Sequence, residues 1–265
     1  MNIEEIASEV SSSISLAKQI EPFSKRGLVL SLQEAYDVAR IVSQKLGQTE
    51  IIGRKIGFTN RNIWNIYNVD QPIWGPITTN SISFFESNFL KIDLSQFCEP
   101  RIEPEIVVCL KQTPKDGSEK MEIYLDWIAP GFEIVDSIYP NWKFSLTDAI
   151  ASGGLHGCLA VGKKFKVNDR TERDLINVGV SLYRGGKLEE EGTGANVLDG
   201  PVSAIRYLHS GLSKIQNQDS LSTGDIITTG TMTDAKPIYP NEKWTAKFDG
   251  VIEAELNLEF FNKLT

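Results

Sequence analysis

The decapeptide RIEPEIVVCL at residues 101–110 constrains the fold more than any other stretch. Its second half is apolar at consecutive positions, and a strand apolar on both faces has to be covered on both sides. That demands a layered β-structure with much chain around it, and 265 residues supply one large domain or a main domain with a small appendage. The strand opens on Arg101, Glu103 and Glu105. Side chains two apart on a strand point the same way, so the two carboxylates share a face with Arg101 and Val107. A Glu-x-Glu pair is commonly a solvated strand face. Leading into a strand covered on both sides, it instead stands at the mouth of a pocket, where unpaired carboxylates are costly and a cation relieves them.

Around this strand the chain divides into a helical start and a β-rich remainder. Apolar residues at Ile3, Ile6, Ala7, Val10, Ile14 and Ala17 predict an amphipathic helix over residues 3–20. A second helix starts at the capping-box pair Ser31 and Glu34 and stops at Gly47. From residue 50 onward short β-like runs alternate with turn residues: EIIGRKIG, SISFF, GFEIVDSI, GCLAVG, GDIITTG and others. YRGGKL reads as a hairpin turn, and residues 252–259 alternate apolar and polar as a strand with one wet face. Helical interruptions are expected at 59–69, near 122–128 and from Pro201 onward. The mixture is α+β, without the regular alternation of a doubly wound sheet.

Several residues can carry chemistry. Glu133, in FEIVDS, is either a core-edge glutamate paired with an arginine or a third ligand beside Glu103 and Glu105. Three oxygen ligands without nearby His or Cys would favour Mg²⁺ or Mn²⁺ over zinc. The chain has only His156 and His209, and no HExxH. Lys55, in GRKIGFTN, either pairs with a carboxylate structurally or acts on a substrate, and the flanking Gly53 and Gly57 permit close backbone approach. TTGT at 228–231 is a cradle for a small carboxylate, or simply a tight turn. GTGANVLDG lacks the third glycine of a dinucleotide loop and there is no Walker lysine. Asp148, Ser152 and His156, four apart on a helical run, form no triad.

Composition removes other classes. Twenty-seven Lys and Arg against 35 Asp and Glu give a net charge of −8, with no basic stripe for nucleic acid. The apolar runs fall far short of the ~20 residues that span a bilayer, and the acidic start MNIEEIASEV does not read as a signal peptide, so a cytoplasmic protein is expected. Cys98, Cys109 and Cys158, without a CxxC pair, read as reduced core thiols.

Taken together, GRKIGFT, RIEPEI, FEIVDS and GDIITTGTMT, in this order and at these separations, resemble the 2-keto-4-pentenoate hydratase and 4-oxalocrotonate decarboxylase group of the fumarylacetoacetate hydrolase superfamily, over residues 30–260. The resemblance implies an N-terminal helical segment (1–49) packed on a mixed β-roll catalytic domain (50–265). It implies a divalent metal, Mg²⁺ or Mn²⁺, held by Glu103, Glu105 and Glu133, acting as a Lewis acid on a small 2-oxo or 2-hydroxydienoic acid. Lys55 matches the family's active-site lysine, for charge stabilisation or proton transfer. Asp70, in NVDQPIWG, matches an acidic residue that orients the lysine or does acid–base work, and Thr229, Gly230 and Thr231 match the carboxylate-binding turn. Where the family reads like ADNASSG, this chain has ASGGLHG, with Ser152 in place of the acid. His156 there replaces the proton donor, reshapes the pocket, or simply packs. Arg54, Arg61, Trp64, Tyr67, Trp74 and Trp142 hint at an altered substrate end.

The activity expected from the resemblance is hydration of a dienoate or enoate. The alternatives are decarboxylation of an oxalocrotonate-like acid, or a non-catalytic oxo-acid binder or partner subunit. The His-Glu pair that activates water in the superfamily's hydrolases is not found upstream of residue 100. A homo-oligomer is expected.

Overall fold

The computed structural model describes residues 1–48, 50–61, 64–67, 69–115 and 120–263. Two N-terminal helices, α1 (Ile3–Ser15) and α2 (Leu32–Lys45), each begin at a capping box, Asn2 with Glu5 and Ser31 with Glu34. Helix α1 stops short of residue 20 because Ala17 takes φ +46° and the chain turns to place Ile20 N–H on Ile138 O at 2.9 Å. The helices bury Ile6, Val10, Val38 and Val42 against Phe23, Ile138, Tyr139 and Ala151, and so sit on the β-rich body.

The body runs β1 (Ile51–Gly57), α3 (Trp64–Tyr67), β2 (Ile73–Thr78), β3 (Ile82–Phe84), β4 (Phe89–Asp93), β5 (Pro100–Leu110), β6 (Leu125–Asp136), α4 (Leu146–Ala151), β7 (His156–Val161) and β8 (Phe165–Lys166). It continues with α5 (Thr171–Ile176), β9 (Gly179–Arg184), β10 (Lys187–Thr193), α6 (Pro201–Leu212), β11 (Ile226–Thr231), β12 (Lys236–Pro237), β13 (Lys243–Asp249) and β14 (Ala254–Phe261). Among the described residues the strands make two mixed sheets. One has nine strands along the order β2-β1-β11-β5-β6-β7-β3, with β12 added on β5 and β8 on β6; the other has the order β10-β9-β13-β14-β4. Pairs β1/β11, β3/β7 and β4/β14 are parallel.

Strand β5 lies inside the larger sheet between β11 and β6, and both of its faces are covered. Ile102, Ile106 and Val108 join the main core with Phe132, Leu182, Trp244, Leu256 and α6 residues Ile205 and Leu208. Val107, on the opposite face, joins Ile77, Ala129, Leu159, Val161 and Ile226. Each such side chain, fully buried, contributes about 1.5–3 kcal/mol. The glutamates occupy the Val107 face.

Gly185 and Gly186, at φ +56° and +83°, make the turn between β9 and β10, as YRGGKL predicts. In β14, Leu256, Leu258 and Phe260 are buried and alternate with wetter positions. The short helix expected at 122–128 is instead a 3₁₀ turn, Met121–Tyr124, followed by the start of β6. Pairing of Trp127 and Ile128 with Cys109 and Val108 overrides the local signal there. Of the helix expected over 59–69, residues 64–67 are helical, and residues 62, 63 and 68 lie outside the described residues, as does the Tyr67 side chain. No described helix is long and apolar enough to cross a membrane.

Candidate metal centre and active site

The register of three strands builds the site. Glu103 on β5 stands directly opposite Glu133 on β6, and Glu105 pairs with Gly131, so the three carboxylates project from one sheet face. One oxygen from each lies within 4.8 Å of the others. On the other side of β5, the β11 register slips between Thr228 and Thr231. This bulge turns the Gly230 N–H to donate to Glu105 Oε2 at 2.8 Å, while the Thr228 hydroxyl donates to the same oxygen. Gly230 takes φ +103°, and a Cβ there would stand 1.8 Å from Thr59 Oγ1, so the bulge requires glycine.

Lys55 reaches the cluster from β1, which pairs with β11 at Thr228. Its Nζ lies 3.3 Å from Glu133 Oε2. The other Glu133 oxygen faces His156 Nδ1 at 2.7 Å. An ionised carboxylate can only accept, so Nδ1 carries the hydrogen, and Nε2 faces Ser81 Oγ at 3.0 Å.

Charge in this enclosure is unbalanced. Burial pushes Glu105 well above the usual carboxylate range, with Glu133 and Glu103 adding to the effect. Burial likewise carries Glu103 up to about 7, against the pull of Lys55. Glu133 is the exception, because Lys55 and His156 together outweigh its burial and hold it below the ordinary value. Lys55, whose burial alone would lower it, is raised by the carboxylates, led by Glu133, and stays protonated. Glu105 Oε1 is buried with no hydrogen bond, and Glu133 Oε2 has only the Lys55 ammonium beside it. Converging carboxylate oxygens, one of them orphaned, fit a hard divalent cation, with its all-oxygen preference.

The cluster opens on a cavity of about 400 Å³ whose walls include Lys55, Glu103, Phe58, Arg101, Trp142 and Thr231. At its rim the Arg101 guanidinium stacks over Trp142 at 4.2 Å. No described carboxylate forms an ion pair with it.

The structure thus brings together Glu103, Glu105, Glu133, Lys55, His156, Gly230 and Thr231. His156 stands behind Glu133 and does not line the cavity. The four-residue spacing of Asp148, Ser152 and His156 does not persist as one helical face, since α4 ends at Ala151 and His156 opens β7. The Thr229 hydroxyl turns away to Ile106 O at 2.9 Å. Gly230's N–H serves Glu105, so the turn holds a carboxylate of the chain itself. Asp70 is not brought to the cluster: it is exposed, and lines a separate cavity with Gln71, Arg206 and Tyr207. Of the residues suspected at the substrate end, Trp142 lines the main cavity. Arg54 and Trp74 line a different one, and Arg61 pairs with Asp199 at 2.7 Å. Ser81 is not singled out by the sequence, and Thr228 reads there only as part of the TTGT turn, not as a partner of Glu105. Thr228 had a signal, an extra hydroxyl residue beside the TGT turn, whereas nothing local to Ser81 points to His156.

No family model matches the chain. The 2-hydroxyhexa-2,4-dienoate hydratase of Comamonas testosteroni is 26% identical over 242 residues, covering 89% of this chain and 88% of that protein. A 4-oxalocrotonate decarboxylase of a Pseudomonas species is 29% identical over 215 residues, 80% of each. The solved 4-oxalocrotonate decarboxylase of Pseudomonas putida G7, complexed with magnesium and adipate, superposes with a TM-score of 0.87 at 23% identity, over 98% of this chain and 97% of that one. Likeness to both kinds of enzyme along most of the sequence, carried through to one fold, makes the chain similar to the 2-keto-4-pentenoate hydratases and 4-oxalocrotonate decarboxylases.

Proposed function

We propose that the protein is a divalent-metal-dependent hydro-lyase that adds water to a small 2-hydroxydienoic or 2-oxo-enoic acid. The observation that carries this reading is the Glu103, Glu105 and Glu133 cluster, half-buried at Glu103 and buried at the other two, with the orphaned Glu105 Oε1 and a protonated Lys55 paired to Glu133. Glu103, Glu105 and Glu133 would hold Mg²⁺ or Mn²⁺. A bound ion supplies Lewis-acid stabilisation to the negative charge that develops when a 2-oxo acid enolises.

The remaining roles belong to the chain. Thr228 and Gly230 pin one oxygen of Glu105, which leaves Oε1 free. His156 pins one oxygen of Glu133 and is a positioning residue. Lys55 Nζ, on the cavity wall, holds a proton where it can be given to the substrate or can offset charge on its C2 oxygen. Asp70 has no part in this arrangement.

A second reading, decarboxylation of a diacid, has its own observation. Arg101 lies two residues from Glu103 on the same strand face, about 6.5–7 Å along β5, and its guanidinium, though near enough to act on Glu103, forms no ion pair among the described residues. A short diacid whose first end lies at the glutamates would meet it with the second.

Purified protein with Mg²⁺ or Mn²⁺ is to be incubated with 2-hydroxypenta-2,4-dienoate and with 2-oxohex-3-enedioate, following loss of ultraviolet absorbance and identifying products by NMR. A 4-hydroxy-2-oxo acid supports the hydratase. Release of CO₂ from the diacid, lost in Arg101→Ala, moves the assignment to decarboxylase. Binding of metal without turnover of either overturns both. We also read the chain as a homo-oligomer subunit, which light scattering checks, and as cytoplasmic, in keeping with three unpaired thiols.

A further inference from the structure

Arg54 precedes Lys55 on β1 and faces the other side of the sheet, where no carboxylate answers it directly. It is 7% exposed. Its side-chain hydrogen bond runs from Nη1 to its own neighbour's carbonyl, Gly53 O, at 3.0 Å. Asp225 and Asp219 are near enough to oppose the effect of burial on it, but neither pairs with it. A guanidinium carries five N–H donors, and buried donors normally find partners. Those of Arg54 border a cavity of about 240 Å³ between α2, β1, β2 and residues 217–219.

The cavity has the features of a built site. Arg40, from α2, adds a second guanidinium with no ion-pair partner among the described residues. Asp219, which is exposed, is the carboxylate on its wall, with Asp225 acting on Arg54 from beyond the wall. Tyr36 and Trp74, stacked at 4.4 Å and 17°, give it a flat apolar side, and Trp74 Nε1 donates to Gln218 Oε1 at 3.3 Å. Its volume is below the ~300 Å³ at which pockets for drug-sized ligands begin.

We propose that this cavity is a second ligand site, taking a short-chain monocarboxylate whose head group is held by Arg54. The planar fork of a guanidinium matches a carboxylate through two parallel hydrogen bonds. The Tyr36–Trp74 wall suits a carbon chain of a few atoms better than a bare inorganic anion. The site lies on the opposite face of the sheet from the glutamate cluster and does not depend on the reaction assigned there.

Butyrate is the probe, because it lacks the 2-oxo group that a metal site would chelate. The metal-loaded protein, labelled with 5-fluorotryptophan, is titrated with butyrate and separately with inorganic phosphate, and its ¹⁹F lines are assigned with Trp74→Phe and Trp142→Phe. Butyrate should move the Trp74 line and leave that of Trp142, in the main cavity, in place. Arg54→Met should weaken the binding by about tenfold or more, and Arg40→Ala by less. If Arg54→Met does not fold, Arg54→Lys, which keeps the charge and loses the fork, should weaken it in the same direction. A silent Trp74 line, a shift unchanged by the Arg54 variants, or a response to phosphate alone overturns the proposal. None of these outcomes bears on turnover at the glutamates.

Discussion

Lys55 and Arg54 are adjacent on one strand, 3% and 7% exposed, and each carries a cation into the protein. Alternation sends them to opposite faces of β1, and there the likeness ends. Lys55 meets three carboxylates, one of them 3.3 Å away, and the excess of negative charge keeps it protonated. Arg54 meets an apolar aromatic wall and distant aspartates, and burial acts to lower its proton affinity. What a buried cation does is therefore set by the face it is sent to. Removing each cation should have unequal consequences, because Lys55 has an ion-paired carboxylate to abandon and Arg54 has none.

The largest effect is expected at Lys55. Lys55→Met leaves the buried Glu133 without its ion-pair partner and its two neighbouring carboxylates without a nearby cation, and breaking a buried pair in this way costs about 3–5 kcal/mol. The loss should be seen in urea unfolding of chelator-treated protein and should shrink when Mg²⁺ is added, since an ion supplies the missing charge. Turnover with Mg²⁺ present should still fall by about 10²–10⁴-fold, the range for loss of a proton-transfer group. Full recovery of activity by Mg²⁺ would reduce Lys55 to a structural counter-ion.

On the carboxylate side the comparison sharpens by grading. Glu105→Gln, a nearly isosteric change at a residue with an orphaned oxygen, should preserve the fold and abolish Mg²⁺-dependent turnover; unchanged Mg²⁺ affinity by calorimetry would remove Glu105 from the site. His156→Ser loosens Glu133 from behind and should lower Mg²⁺ affinity by about tenfold, the lower end for partners of metal ligands. Because His156 does not line the cavity, the ratio of turnover between the dienoate and the diacid should stay constant. A changed ratio would return His156 to the substrate.

Proton linkage gives a smaller effect with a definite sign. Glu103 is carried up to about 7, first by burial, from an ordinary 4.5. Between these values the folded, ion-free protein binds a proton that the unfolded chain has released, so stability is greatest below about 4.5 and falls as pH rises toward 7. Glu105, also raised, acts in the same direction. Glu133, lowered, acts the other way, its contribution being present above 4.5 and lost in stronger acid. Chelator-treated protein should thus lose on the order of 1–3 kcal/mol between about pH 5 and pH 8. Mg²⁺ binding should release protons over the same interval and tighten as pH rises. Calorimetry in two buffers of different ionisation enthalpy measures that release, and none at about pH 6 would contradict the raised carboxylates.

How much of this could be read from the amino-acid order follows from the range of each interaction. Strand β5 announced itself, because a run apolar on both faces has few solutions, and the period of two already put Glu103 and Glu105 together. The capping boxes and the Gly185–Gly186 turn are local chemistry and were equally legible. Glu133 could be found by resemblance but not by spacing, since its place opposite Glu103 depends on the register of β5 against β6. The bulge that turns Gly230 toward Glu105 is a property of two paired strands, so the same residues looked like a cradle for substrate. Asp70 and Trp74 fail in the same way: both follow β1 closely in sequence, and the chain path carries them to other cavities. The 122–128 segment shows short local helical preference yielding to pairing with β5.

The smallest expected effect tests the comparison from the other side. Arg54→Met exchanges a buried guanidinium for an apolar chain of similar reach, and the one hydrogen bond it forfeits is to Gly53 O. Replacing a buried charge that has no ion-pair partner relieves desolvation, which offsets the lost hydrogen bond and the weaker attraction to Asp225, so unfolding free energy should change by about 1 kcal/mol or less, in either direction. Denaturant midpoints measured without added carboxylate give this number. A loss comparable to that of Lys55→Met would mean that Asp225 and Asp219 hold Arg54 as firmly as the glutamates hold Lys55. The two faces of β1 would then be alike, whereas a near-zero change together with lost butyrate binding would mark Arg54 as a residue kept for what it binds.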